Sequence, residues 1–296
     1  MPEGQDEPGI KRGQGSFTAL DSLELHERWW FPEFPKDQTK AVVVLVHGLK
    51  DHGARYEHVG VWLAGRGYAV YALDLRGHGE SGGERFFVDA FDEYVEDLVV
   101  FLDRVREREK GRPLFLLGHS MGGAVAGLFV LNREPGATGL SGLILTAPAL
   151  EPNENVSPVL IRLSRVISRF FPRAPVTKVD IKSLSHLPSV VEAARKDPLS
   201  NERPAPARTG YEILRAMRRI RDRAAEITLP ILVMHGTEDH LTNPRGSETL
   251  FKRAGSEDKT IKLYKGLYHE ILNEPEQEQV LEDILSWMDA RGRPNA

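Results

Sequence analysis

Residues Ala41-Val42-Val43-Val44-Leu45-Val46 are apolar at every position, with no alternation of polar and apolar side chains. That is how a strand buried on both faces of a sheet reads. The same pattern predicts strands at 69–73, 114–117, 142–146, 230–234 and 260–264. Between them the period lengthens. In 89–108 the apolar positions are Phe91, Tyr94, Val95, Leu98, Leu102 and Val105, a three-and-four spacing that makes one helical stripe. Strands alternating with helices predict an α/β fold with a mostly parallel central sheet flanked by helices. Residues 16–31 alternate loosely and carry Trp29, Trp30 and Phe31, which suits an opening pair of strands.

One stretch breaks this rhythm. From about Leu150 to Arg208 the alternation of strand and helix stops, and prolines cluster at 172, 175, 188, 198, 204 and 206. Before them, apolar residues at 159, 160, 163, 166, 167 and 170 form a helical stripe with Arg162, Arg165 and Arg169 opposite. A helix-rich insert after a core strand suits a cap over an active site. The expected organisation is an N-terminal segment 1–15 that frays, a core of 16–149 and 209–292, and a cap insertion of 150–208. The cap stripe could be buried against the core, or could touch a lipid surface.

Composition narrows the function classes. The chain has 296 residues, 41% of them hydrophobic, enough for one large domain with an insertion. A net charge of −4 speaks against a general nucleic-acid binder. The absence of cysteine excludes disulfides, thiolate metal sites and a cysteine nucleophile. Residues 1–15 lack the apolar core of a signal peptide, and no run approaches the ~20 apolar residues of a membrane span. The expectation is a soluble cytoplasmic protein, with membrane association, if any, peripheral.

The candidate chemistry begins at Gly118-His119-Ser120-Met121-Gly122-Gly123, which follows the run Leu114–Leu117 and precedes the small-residue helix at Ala124. Gly-x-Ser-x-Gly between a buried strand and a helix is a nucleophile elbow, which thrusts the Ser120 hydroxyl out of the backbone. A serine hydroxyl needs a base, and the base needs an orienting acceptor. At an elbow-type sheet the order is serine, acid, histidine. Asp239 lies in the turn just past strand 230–234. Its competitors are weaker: Glu238 is one residue off, and Asp222 lies in a charged helical run. Four of the ten histidines follow Ser120: His186, His235, His240 and His269. Only His269 follows a later strand through a loop. His186 falls in the cap, His235 at the strand end before the acid, and His240 in the turn beside Asp239. Two backbone amides should meet the oxyanion of a tetrahedral intermediate. One is that of Met121, after the nucleophile. The other is that of Leu49, in the loop His47-Gly48-Leu49 after the first buried strand.

With these residues placed, the chain resembles the α/β-hydrolase superfamily and, within it, the monoacylglycerol lipase-like serine hydrolases. The likeness rests on five segments: 47–56 (His-Gly-Leu-Lys-Asp-His-Gly-Ala-Arg-Tyr), 74–81 (Asp-Leu-Arg-Gly-His-Gly-Glu-Ser), 118–123, 235–239 (His-Gly-Thr-Glu-Asp) and 264–269 (Tyr-Lys-Gly-Leu-Tyr-His). The resemblance implies a Ser120–Asp239–His269 triad, an oxyanion hole of Leu49 and Met121, and a mobile, partly apolar cap. It implies hydrolysis of a small lipid ester, a monoacylglycerol or related single-chain ester, through an acyl-enzyme that needs no metal or organic cofactor. The family position of Leu49 is often smaller, which would narrow the acyl entrance. Lysophospholipase, general carboxylesterase or acyltransferase activity would use the same triad. An inert hydrolase-fold receptor or scaffold has the ordered triad against it. The 76–81 loop reads as structural, with Asp74 a scaffold acceptor.

Overall fold

The computed structural model describes residues 9–33, 38–134, 136–154, 156–200 and 203–292. Eight strands form one sheet: β1 (Ile10–Thr18), β2 (Glu24–Pro32), β3 (Ala41–Val46), β4 (Tyr68–Leu73), β5 (Leu114–His119), β6 (Gly142–Thr146) and, beyond a small β7 (Pro175–Thr177) and β8 (Ala205–Pro206), β9 (Ile231–Gly236) and β10 (Lys259–Tyr264). Their order is β1-β2-β4-β3-β5-β6-β9-β10. The β1–β2 and β2–β4 pairs are antiparallel and the rest parallel, so β3, β5, β6, β9 and β10 end at one edge.

The unbroken apolar runs are explained by cover on both faces. Val42, Val44 and Val46 pack with buried residues of α2 (Phe91–Arg108) and α3 (Met121–Leu131). Val43 and Leu45 pack on the opposite face with those of α1 (Glu57–Ala64) and α8 (Gln277–Asp289). The expected α2 stripe is buried throughout, joined by Phe101 and Asp97. Asp97 is tolerated there because Arg76 binds it through two nitrogens, at 2.6 and 2.7 Å. In the same loop Asp74 accepts from the amides of Gly53 (2.6 Å) and Glu80 (2.9 Å), a scaffold acceptor for two turns.

Between β6 and β9 lie α4 (Pro158–Phe170), β7, α5 (Pro188–Lys196), β8 and α6 (Ala207–Arg223), and α7 (Pro244–Arg253) follows β9. The α6 helix is the inner layer, where Ile220 lies within 3.4 Å of a Cβ built on Gly127 of α3. The α4 stripe divides, with Leu160 and Ile167 turned to the cavity and the rest facing outward. Val159 is 62% exposed, Leu163 49%, Val166 53% and Phe170 71%, while Ile161, Ser164 and Ile167 look into the protein.

The N-terminus corrects the expectation that residues up to 15 fray. The segment 1–8 lies outside the described residues, but from Ile10 the chain pairs residue for residue with β2, Ile10 opposite Pro32 and Thr18 opposite Glu24. Its glycines had read as flexibility and are instead space. A Cβ on Gly13 would fall 2.6 Å from the Trp29 ring. Gly60 serves Trp30 in the same way from α1, with a would-be Cβ 2.3 Å from the indole, whose Nε1 donates to Glu57 at 2.8 Å. Gly→Ala in an open helix position stabilises by about 1 kcal/mol. At Gly60 the sign should reverse, and Gly60→Ala is expected to lower the unfolding free energy by about 1–3 kcal/mol, read from denaturant unfolding curves.

Candidate active site

The ends of β3, β5, β9 and β10 converge on one cavity. Ser120 follows β5 with φ 53° and ψ −119°, a left-handed conformation that costs a side-chain-bearing residue of order 1–3 kcal/mol. The surroundings hold it there. Its amide donates to the Thr146 carbonyl of β6 at 3.0 Å, and its own carbonyl accepts from Ala149 at 2.9 Å. The flanking glycines are obligatory. A Cβ on Gly118 would lie 2.5 Å from the Gly122 carbonyl oxygen, and one on Gly122 would lie 2.2 Å from that of Val46.

His269 and Asp239 meet as the sequence order requires: His269 Nδ1 lies 2.7 Å from Asp239 Oδ2. The two turns are stitched together upstream of the side chains. Thr237 donates to the Tyr264 carbonyl at 2.9 Å, and Glu238 donates to that of Leu267 at 3.1 Å. Gly236 lets the histidine loop press against β9, because a Cβ there would be 2.2 Å from the Leu267 oxygen. Glu238 is exposed and Asp239 buried, so a one-residue offset separates the two candidate acids.

Asp239 is held as an anion by many donors. Burial opposes its charge, but His269 and His235 outweigh burial and keep its carboxyl well below the usual range. His235 Nε2 is 2.9 Å away, the Thr242 hydroxyl donates at 2.8 Å, and the amides of Leu241 and Thr242 donate to Oδ1 at 2.7 and 3.0 Å. Burial likewise presses the His269 imidazolium down, but Asp239 carries its pKa above the ordinary value. The His119 ring stands 4.8 Å from that of His269, and burial together with His269 pushes it down to about 3, so it stays neutral.

Ser120 and His269 line the same cavity, without a hydrogen bond between them among the described residues. With Nδ1 committed to Asp239, Nε2 is the nitrogen left to exchange a proton.

The amides of Leu49 and Met121 have no acceptor among the described residues. Met121 opens α3, where a helix leaves its first N–H groups unpaired. The Leu49 amide is aimed by a residue not singled out in the sequence, His47. The Leu75 amide donates to His47 Nε2 at 2.9 Å, so the ring proton sits on Nδ1, which donates to the Gly48 carbonyl at 2.7 Å. Burial keeps His47 neutral by lowering its pKa. In a trans peptide the C=O and N–H point opposite ways, so fixing the Gly48 oxygen fixes the Leu49 N–H. A Cβ on Gly48 would be 3.1 Å from Ser120 Cβ, so this loop lies directly against the serine.

The cavity measures about 240 Å³. One cluster of its polar lining adjoins the groups above. Lys50 and Asp51 follow Leu49, Glu270 follows His269, and Arg55 joins them, donating to Glu270 twice at 2.8 Å and to Asp51 at 3.0 Å. Burial works against the Asp51 charge, and Arg55 outweighs it, leaving the carboxyl low. Ser164, Lys178 and Ser200 add polar groups from the insertion, and most of the remaining wall is aliphatic, with Leu160, Ile161, Ile167 and Val179 from the insertion and Leu214 and Met217 from α6. Among the described residues no helix is long and apolar enough to cross a membrane, and no cluster of His, Cys, Asp and Glu could hold a metal ion.

Comparison with known proteins places this geometry in a family. A family model described as serine aminopeptidase, S33, matches residues 37–276. A monoacylglycerol lipase of Mycolicibacterium smegmatis is 37% identical over 277 residues, covering 94% of this chain and 97% of its own. Monoglyceride lipase of Mus musculus is 32% identical over 290 residues, covering 97% and 91%. Among solved structures, the monoacylglycerol lipase of Paleococcus ferrophilus superposes with a TM-score of 0.78 at 29% identity, over 95% of this chain and 99% of that one. A soluble variant of the Saccharomyces cerevisiae monoglyceride lipase, in complex with a substrate analog, superposes with a TM-score of 0.86 over 99% of both chains; at 22% identity it shows the fold alone.

A base that must be neutral loses activity as it protonates. The His269 pKa is raised, so hydrolysis of a soluble ester should begin to fall at a pH above the ordinary histidine value of about 6.5. Asp239→Asn should shift that acid limb downward and lower kcat by about 10⁴-fold, measured as pH–rate profiles of the two proteins.

Proposed function

The chain belongs to the α/β-hydrolase family described as serine aminopeptidase, S33, and on that premise we propose that it hydrolyses monoacylglycerols or related single-chain lipid esters through an acyl-enzyme on Ser120. The observation that carries the proposal is the Asp239–His269 contact at 2.7 Å, which holds His269 in a cavity it lines together with a strained elbow serine. Ser120 Oγ attacks the ester carbonyl while His269 Nε2 takes its proton. The amides of Leu49 and Met121 receive the oxyanion. Asp239 holds the imidazole tautomer and stabilises the imidazolium. The tetrahedral intermediate collapses, His269 returns the proton to the departing alcohol, and water repeats the sequence to release the fatty acid.

The lining supports an ester of this kind over a peptide. Charged groups lie within a few residues of the reacting atoms, where a hydroxyl-bearing head group would sit. The aliphatic wall supplied by α4, the 175–184 segment and α6 suits a hydrocarbon chain. Residues 150–208 act as the cap in this scheme, and Leu160, Ile161 and Ile167 contribute its underside. The printed names of the relatives above, lipases of monoacylglycerols, agree with this partition. Ser120→Ala should lower kcat for short p-nitrophenyl esters by roughly 10⁴–10⁶-fold. Retained turnover in pure protein would remove Ser120 from the mechanism.

The outward face of α4 adds a docking role. Val159, Leu163, Val166 and Phe170 are exposed beside Arg162, Arg165 and Arg169, the pairing of apolar anchors with cations that lies down on an anionic lipid surface. Such contact would bring a poorly soluble substrate to the cavity that the same helix covers. In flotation with anionic liposomes, Leu163→Asp should reduce the bound fraction several-fold. An unchanged fraction would take the stripe out of consideration.

A further inference from the structure

One buried carboxylate near the site takes no part in the chemistry above. Glu274 has no exposed surface and follows the short 3-10 turn Ile271–Asn273. Its two oxygens each take a backbone amide from a different element. Oε1 accepts from Tyr268, one residue before His269, at 2.7 Å. Oε2 accepts from His186, in the insertion, at 3.0 Å. The Ser185 hydroxyl oxygen lies 3.3 Å from Oε2, and His186 Nδ1 lies 3.0 Å from Oε1.

We infer that Glu274 is a positioning residue for the reaction, tying the loop that carries His269 to the cap turn Ser185–Leu187. The inference rests on the assignment of His269 as the base. Three further contacts fasten the same two segments. Glu270 donates its amide to the Leu184 carbonyl at 2.8 Å, Ser185 donates to that of Asn273 at 2.8 Å, and the rings of His186 and Tyr268 stand 3.7 Å apart. On its other side the His269 loop rests its Leu267 and Tyr268 carbonyls against Gly236. The loop is thus gripped between the end of β9 and Glu274, and the grip passes through the residue adjoining the base. The cap arm around α5 is part of that grip, unlike the α4 arm with its exposed outer face.

The donor arithmetic makes the residue type specific. A carboxylate is acceptor-only, whereas an amide brings an NH₂ donor. Both Glu274 oxygens face backbone N–H groups, which cannot become acceptors. Glutamine of the same size must therefore set its NH₂ against the Tyr268 amide or the His186 amide and release one of them.

The test is Glu274→Gln in the full chain, assayed with a short soluble ester that does not fill the cavity. A loss of about 10–100-fold in kcat is expected, the scale of a misplacement near 1 Å, with KM within about twofold of the parent. The acid limb of kcat/KM should also move down toward the ordinary histidine value, because the Asp239 contact that raises His269 slackens. His186→Ala keeps the backbone amide but removes the Nδ1 contact and the ring against Tyr268, and should lower kcat by about 2–5-fold, the scale of a weak local interaction. A Glu274→Gln protein with parental kcat and acid limb, whatever its melting temperature, overturns the inference. Should that variant fail to fold, parental kcat in His186→Ala overturns it alone. Loss of the hydrolase assignment itself would show separately, as turnover surviving Ser120→Ala.

Discussion

A carboxylate with almost no contact with water would ordinarily neutralise itself, because burying a lone charge costs several kcal/mol. Asp239 stays ionised because two imidazoles, a hydroxyl and two backbone amides converge on its two oxygens. Each donor comes from a turn fixed by something else: His235 from the end of β9, Leu241 and Thr242 from the turn after it, and His269 from the loop after β10. The arrangement works in both directions. The sheet edge delivers the donors, and the anion they surround then fixes which His269 nitrogen carries a proton and where the ring points. Parallel strands ending at one edge make this possible, since residues 119 positions apart at Ser120 and Asp239 need only follow strands that are separated by one other strand, β6, and end at the same edge.

Much of the fold was legible because burial on both faces leaves a mark that needs no neighbours to interpret. The runs at 41–46 and 114–117 are apolar at every position, that at 142–146 is apolar but for Thr146, and each is a central strand. The nucleophile elbow was legible because its glycines answer a local steric demand. What failed to show in the sequence depends on partners far along the chain. Gly13 looked like a flexible tail residue because the Trp29 ring that occupies its missing side chain lies on another strand. The α4 stripe has the periodicity of a core helix, yet it is split, with Leu160 and Ile167 lining the cavity and Val159, Leu163, Val166 and Phe170 facing outward; periodicity finds a face and says nothing about which side is wet. His47, His235 and Glu274 share a different obscurity. Each acts by where it aims a hydrogen bond, and a histidine at a strand end reads the same whether it orients an amide, props up an acid or fills space. His235 did leave one trace, its position four residues before Asp239 at the end of the same strand.

Family membership and cavity chemistry answer different questions. The family is described by a peptidase, while relatives of closely similar length are lipases. The reaction centre common to both needs only an acyl group with a leaving group attached. Selection between an amide and a lipid ester falls to the walls, and here the aliphatic share of the lining comes largely from the insertion. Leu49 adds a further aliphatic surface to the cavity that Ser120 lines.

The central claim is that one side chain, the Ser120 hydroxyl, becomes acylated at the end of a relay through His269 to Asp239. Intact-protein mass spectrometry after treatment with a fluorophosphonate addresses it directly, since the reagent loses fluoride and phosphonylates a serine whose base and oxyanion donors are in place. A single adduct, mapped by peptide fragmentation to Ser120, is the predicted result. An unmodified protein, or an adduct on another hydroxyl such as that of Ser164 or Ser200 in the cavity wall, would contradict it.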